Sequence, residues 1–193
     1  MKKLSEEEKK RRKKIAQKSD LVKNPNQQRR REQENNKYEF EMRIVIMIEL
    51  STFKKILEEN GERLPLLTLD EFFNGNTEEE SIAPNQWEFG RPTLSEIWNM
   101  LRNIELMPNI AWVRVALHDD TEIVENNGTE ELVLAGDTIV ICTTILPREL
   151  EELANCKWLC SDGVIKIKAS ELNAYSCVPP IPKKFNCLEI VWD

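Results

Sequence analysis

Histidine occurs once in this 193-residue chain, and its neighbours set the chemistry open to it. In Leu117-His118-Asp119-Asp120 an imidazole stands next to two carboxylates. Such a group can take a proton as a general base or lend a lone pair to a metal near neutral pH. The same residue also suits the end of a strand, turned to solvent with Arg114. A single histidine rules out the multi-histidine zinc-protease and phosphohydrolase constellations.

Cysteine offers a second possibility. Cys156-x3-Cys160 and Cys177-x9-Cys187 supply four soft ligands that could hold zinc tetrahedrally. The spacings are wider than the tight C-x2-C knuckles of structural zinc sites, and Cys156 and Cys160 would share a helix face. The fifth, Cys142, lies in the apolar run Thr138–Ile145 and reads as a small core residue. An odd number of thiols without an export signal points to reduced cysteines.

Phosphate-binding loops are missing from the sequence. Its glycines stand at 61, 75, 90, 128, 136 and 163, which gives neither a G-x-G nor a G-K-[ST]. A Walker loop or dinucleotide fingerprint therefore cannot be built, and the acidic region lacks the E-x-K of a common nuclease arrangement. Carboxylate runs at Glu78-Glu79-Glu80, Glu130-Glu131 and Glu151-Glu152 could hold Mg²⁺ but read better as solvated faces. No residue set nominates a catalyst, and no cofactor is expected beyond the zinc alternative.

Charge is distributed unevenly. Residues 1–38 carry fourteen Lys and Arg against six Asp and Glu, a formal +8, while the remaining 155 carry thirteen against twenty-eight, a formal −15. The basic runs Lys9-Lys10-Arg11-Arg12-Lys13-Lys14 and Arg29-Arg30-Arg31 suit phosphate backbones through counterion release, or nuclear import in a eukaryote. In the acidic part, Asp70-Glu71-Phe72-Phe73 and Trp87-Glu88-Phe89 flank the run Glu78–Glu80. Aromatics rimmed by acids in a long loop suit recognition of a basic partner, or else the rings fold back over a sheet edge.

Positioning these groups requires a scaffold, and the apolar spacing outlines one. Ser5 with Glu8, and i,i+4 pairs such as Glu6/Lys10, mark a short solvated helix ended by Asn24-Pro25. Residues 26–37 read as a charged linker. Strict alternation over 38–50, with Phe40, Met42, Ile44, Ile46, Ile48 and Leu50, predicts a strand. A helix over 51–60 follows, then a long connection over 61–92 with one helical turn at Thr68–Glu71. Thr93 and Glu96 form a capping box before Leu94, Ile97, Trp98, Leu101 and Ile104, a helix stopped by Pro108. Ala111, Val113, Val115 and Leu117 share one strand face, opposite Trp112 and Arg114. Asn127-Gly128 signals a hairpin returning over 132–145. Pro147 opens another helix, and Val164–Ile167 and Leu188–Trp192 are alternative last strands.

The order predicts an α+β domain at 38–193, a ferredoxin-like βαββαβ sandwich with an inserted loop. It follows a basic extension at 1–37, largely disordered or helical. No stretch approaches the ~20 apolar residues of a membrane helix, and Ile15-Ala16 and Leu21-Val22 do not make a signal-peptide core. A cytoplasmic location is expected, or nuclear in a eukaryote. The implied function is a non-catalytic protein-binding module of regulator, inhibitor or immunity type. Asp70, Phe72, Phe73, Glu78, Glu79, Glu80, Trp87 and Phe89 would face a basic protein. The alternative is a nucleic-acid-associated protein anchored through the basic tail.

Overall fold

The computed structural model describes residues 47–87 and 89–192, the side chain of Trp87 excepted. The expected N-terminal helix, the linker, the basic runs and most of the expected strand at 38–50 lie outside the described residues. Of that strand, residues 47–49 form no strand and Leu50 already opens a helix, which corrects the expectation there.

Two layers of helix and loop enclose a five-stranded, fully antiparallel sheet. In chain order the elements are α1 (Leu50–Glu59), β1 (Leu66–Leu67), α2 (Leu69–Phe73), a 3₁₀ turn (Glu79–Ser81), α3 (Pro84–Trp87) and α4 (Leu94–Glu105). Then come β2 (Ile110–Leu117), β3 (Glu122–Asn126), β4 (Thr129–Val133), β5 (Gly136–Thr143), α5 (Pro147–Ala154), α6 (Cys156–Leu159), β6 (Gly163–Ile167), a second 3₁₀ turn (Glu171–Ala174) and β7 (Asn186–Val191). The sheet order is β1-β2-β5-β7-β6, and β3 with β4 forms a separate hairpin. The ferredoxin-like plan is not shown. Its opening strand would run over 38–50, and residues 47–50 pair with none of the described strands.

Local signals account for the helices. Thr68 caps α2: its hydroxyl accepts from the Glu71 amide at 3.1 Å, and the Glu71 carboxylate accepts from the Thr68 amide at 2.8 Å. Thr93 and Glu96 repeat the arrangement at α4. Each such box satisfies two amides that the first turn leaves open, worth about 1 kcal/mol. Asn155 in the left-handed region (φ +51°) ends α5 and starts the separate turn α6.

Both sheet faces are buried. Val113, Val115, Leu117, Ile139, Ile141, Leu188 and Ile190 meet Phe53, Phe72, Ile97, Leu101 and Leu150 of the helices. On the other face Trp112, Ala116, Val140, Cys142 and Cys187 lie under Leu172, Tyr175, Val178, Ile181 and Phe185 of the β6–β7 connection. The Trp112 indole pins that connection by donating to the Pro180 carbonyl at 3.1 Å. Both candidates for the last strand are strands, and they pair with each other.

Two sequence expectations shift for steric reasons. A bulge between Ile110 and Trp112 takes Ala111 out of the ladder, so Ile110 joins Val113 on the helix side and Ala111 is exposed. The long return strand splits after Val133 because β4 pairs with β3 and β5 pairs with β2. Gly136 opens β5 where a β-carbon would stand 3.0 Å from Val115 Cγ1 and 3.4 Å from the Phe72 ring.

Candidate functional site: an acid-rimmed apolar groove

A large concavity with an apolar lining lies between three short segments. Met47, Ile48 and Leu50 form one wall, Gly75–Glu78 and Ser81 a second, and Glu131–Leu134 of the hairpin region the third. Its volume is about 580 Å³, within the range of ligand sites. Exposed Glu49, Glu78 and Glu131 stand on its rim, and among the described residues no Lys or Arg lines it.

The walls are held by backbone and amide contacts. Met47 and Ile48 donate their amides to the Asn74 and Glu71 carbonyls at 2.6 and 2.9 Å, fixing the chain against the end of α2. The Asn76 side chain donates to the Phe72 carbonyl at 3.2 Å and to Ser81 Oγ at 2.9 Å, and accepts from the Glu78 amide at 3.0 Å. That triple contact sets the curve carrying Glu78. Leu132 packs with Ile123 on the main core, while Val133 stays 42 % exposed. An apolar trough with a carboxylate rim can bury aliphatic surface while holding cations at its margin.

The expected binding residues separate into three groups. Phe72 and Phe73 belong to the core, edge-to-face with ring centroids 4.9 Å apart. Asp70 and Glu79 are engaged in ion pairs: Arg102 lies 3.3 Å from Asp70, and the buried Arg91 lies 3.5 Å from Glu79. Glu78, Glu80 and Phe89 are exposed. Among the described residues of the expected set, Glu78 alone lines the groove. Trp87 closes α3, and its side chain lies outside the described residues, as do Lys9–Lys14 and Arg29–Arg31.

Arg91 explains the shape of the loop before α4. Its side chain is fully buried and donates to the carbonyls of Pro92 at 2.7 Å and Glu79 at 2.5 Å. Burial lowers its pKa from the ordinary value, and the Glu79 carboxylate opposes that shift. Glu79 also accepts the Leu94 amide at 2.8 Å, so this carboxylate ties the loop to the start of α4.

His118 gains a partner that its sequence neighbours do not reveal. Asp120 Oδ2 lies 3.1 Å from Nδ1, and Asp137 of β5 places Oδ2 3.9 Å from Nε2. The Asp120 amide also donates to Nδ1 at 3.2 Å. A small pocket of about 140 Å³ opens beside them, walled by Pro84, Asn85 and Trp192 among others. Asp119 is exposed and is not among its lining residues.

The four-cysteine zinc site is corrected. Cys156 packs on the helix side of the sheet, whereas Cys187 lies on the opposite face beside Cys142, its partner in the β5–β7 register. Cys160 is partly buried and Cys177 exposed. Among the described residues no group of three or more His, Cys, Asp or Glu side chains is placed to hold a metal. Burial pushes the Cys142 thiol up to about 12, aided by Cys187, so it stays protonated and inert.

The described residues thus form an α+β domain with a five-stranded antiparallel sheet and a separate hairpin that walls an acid-rimmed groove. A family model described as "Uncharacterized protein YfbO family" matches residues 48–190, and the chain belongs to that family. The comparison with curated proteins found no match, and neither did that with solved structures.

Sequence reasoning missed most of the groove. Met47, Ile48 and Leu50 read as strand, Leu132–Leu134 as the start of one long return strand, and Glu131 as part of the acidic run before it. The usable signal was Val133, an apolar residue at an outward hairpin position two residues beyond Glu131.

Proposed function

We propose that this protein is a non-catalytic binding module that engages a basic protein through the groove between Met47–Leu50, Gly75–Glu78 and Glu131–Leu134. The observation that carries this reading is the pairing of an apolar trough with three exposed carboxylates and, among the described residues, no lining cation. Apolar side chains of the partner would fill the trough, and Lys or Arg beside them would meet Glu49, Glu78 and Glu131. Buried anchors supply most of the affinity in such interfaces, and rim charges supply steering and selectivity. A regulator, inhibitor or immunity-type protein of the cytoplasm fits that description.

The test is capture on immobilised full-length protein after nuclease treatment of the lysate. A basic protein retained by the wild type and lost with Glu78→Lys/Glu131→Lys supports the reading. Retention indifferent to that double reversal overturns it. A second reading rests on the formal +8 of residues 1–38, which suits nucleic acid held through Lys9–Lys14 and Arg29–Arg31. It requires duplex binding that weakens steeply with salt and is lost on neutralising those runs.

A further inference from the structure

The hairpin that walls the groove has one backbone edge that pairs with no described strand. Asn127 and Gly128 both take positive φ, +52° and +78°, the two-residue turn whose twist suits a tight hairpin. In such a hairpin the residues flanking the turn, Asn126 and Thr129, exchange backbone hydrogen bonds. Alternation then makes Val124–Glu131 and Glu122–Val133 bonded pairs, and leaves Glu125–Glu130 and Ile123–Leu132 unbonded across the ladder. The amides and carbonyls of Glu130 and Leu132 therefore point away from β3. Among the described residues no hydrogen bond occupies them.

We infer that the groove takes its partner as an extended strand added to the outer edge of β4, with apolar and basic side chains in alternation. This rests on the binding reading above and specifies the mode of recognition. Side chains alternate between the two faces of a strand. Those of an added strand that point inward would lie beside Leu132 and over Met47, Ile48 and Leu50. Those that point outward would stand beside Glu131 and Val133, where Lys or Arg meets an exposed carboxylate. The Glu130 and Leu132 backbone groups would supply the ladder, so affinity would come from main-chain bonds and selectivity from alternate side chains. An amphipathic helix would leave those groups unpaired in a groove it had dried, a cost that disfavours it.

The test uses the full chain and two synthetic octapeptides of the same Leu and Lys content, one in strict alternation and one in helical order. A third copies the alternating peptide with N-methyl groups on the amides along one edge. Fluorescence anisotropy reads affinity. The alternating peptide should bind roughly tenfold tighter than the helical one, and N-methylation should remove a similar factor, about the net worth of one or two backbone hydrogen bonds. Glu130→Pro should weaken binding as N-methylation does, because its amide serves the outer edge and not the hairpin. Glu130→Gln, which also loses the Lys54 contact, should not. Equal binding of both sequence orders, or indifference to N-methylation, with sensitivity to Glu131→Lys retained would overturn the strand mode and leave the binding reading standing. Binding of none of the peptides would overturn both.

Discussion

Two acidic regions of this molecule look alike in sequence and differ in what their carboxylates do. In the loop before α4, Glu79 is a structural tie. It meets the buried Arg91 guanidinium and the Leu94 amide at once. In the hairpin, Glu125 and Glu130 stand opposite each other across the ladder, and Lys54 of α1 takes only Glu130, at 2.6 Å. Glu131 faces outward at the groove. A like-charged pair directly across a sheet destabilises it, so the hairpin keeps a charge arrangement that its own fold does not reward. The difference teaches that an acidic run is structural where a buried cation organises it, and available for binding where none does.

The largest expected effect would break that contrast from the structural side. Arg91→Ala leaves Glu79 without its cation and removes the donors held by the Pro92 and Glu79 carbonyls. Loss of about 3 kcal/mol is expected by urea denaturation, as for breaking other buried pairs. Glu131→Gln should change stability by no more than about 0.5 kcal/mol. Similar losses for both would erase the distinction.

Binding sharpens it from the other side. Glu131→Lys should weaken capture of the alternating basic peptide by roughly tenfold, while Glu80→Lys, outside the groove lining, should matter less. Titration at several salt concentrations checks this, since rim charges act more weakly as salt rises.

Glu189 is a third case, half-buried on β7 with like charges around it. Burial raises its pKa, and Glu171 and Asp137 add to the rise. Because the folded value lies above the unfolded one of about 4.3, its favourable contribution is complete below that pH and is lost as the pH rises through the folded value. Glu189→Gln should therefore unfold less readily than wild type at neutral pH, with the advantage vanishing in acid. A constant difference across the range would contradict this.

The smallest effect concerns the hairpin itself. Glu125→Lys turns the opposed carboxylates into an opposite-charge pair and should stabilise the protein by about 0.5 kcal/mol. A thermal melt at low salt checks it. A destabilised variant would mean that Glu125 has a cationic partner of its own.

Much of the scaffold was legible because its signals are local. The helical turn at Thr68–Glu71, the capping box at Thr93, the Asn127-Gly128 turn, Pro147 at the start of α5 and the apolar spacing of Leu94–Ile104 each act within one or two turns of chain. The candidate site was far less legible. Glu78 was visible as part of an acidic run, but nothing in that run separated it from Glu79, which Arg91 claims from twelve residues away in sequence. His118 was visible with Asp120, whereas Asp137 reaches it only through the pairing of β2 with β5.

From its sequence this protein has its charge division, its helix boundaries, its hairpin turn and most of its core residues. Those follow from side-chain chemistry and short-range backbone preference. The tertiary structure decides which carboxylates are occupied, that Cys156 and Cys187 lie on opposite faces of the sheet, and that Met47–Leu50 meets Gly75–Glu78 and Glu131–Leu134 in one groove. Each of these depends on contacts between segments far apart in the chain. Sheet order and the packing of its two faces select such contacts, and no local preference specifies them.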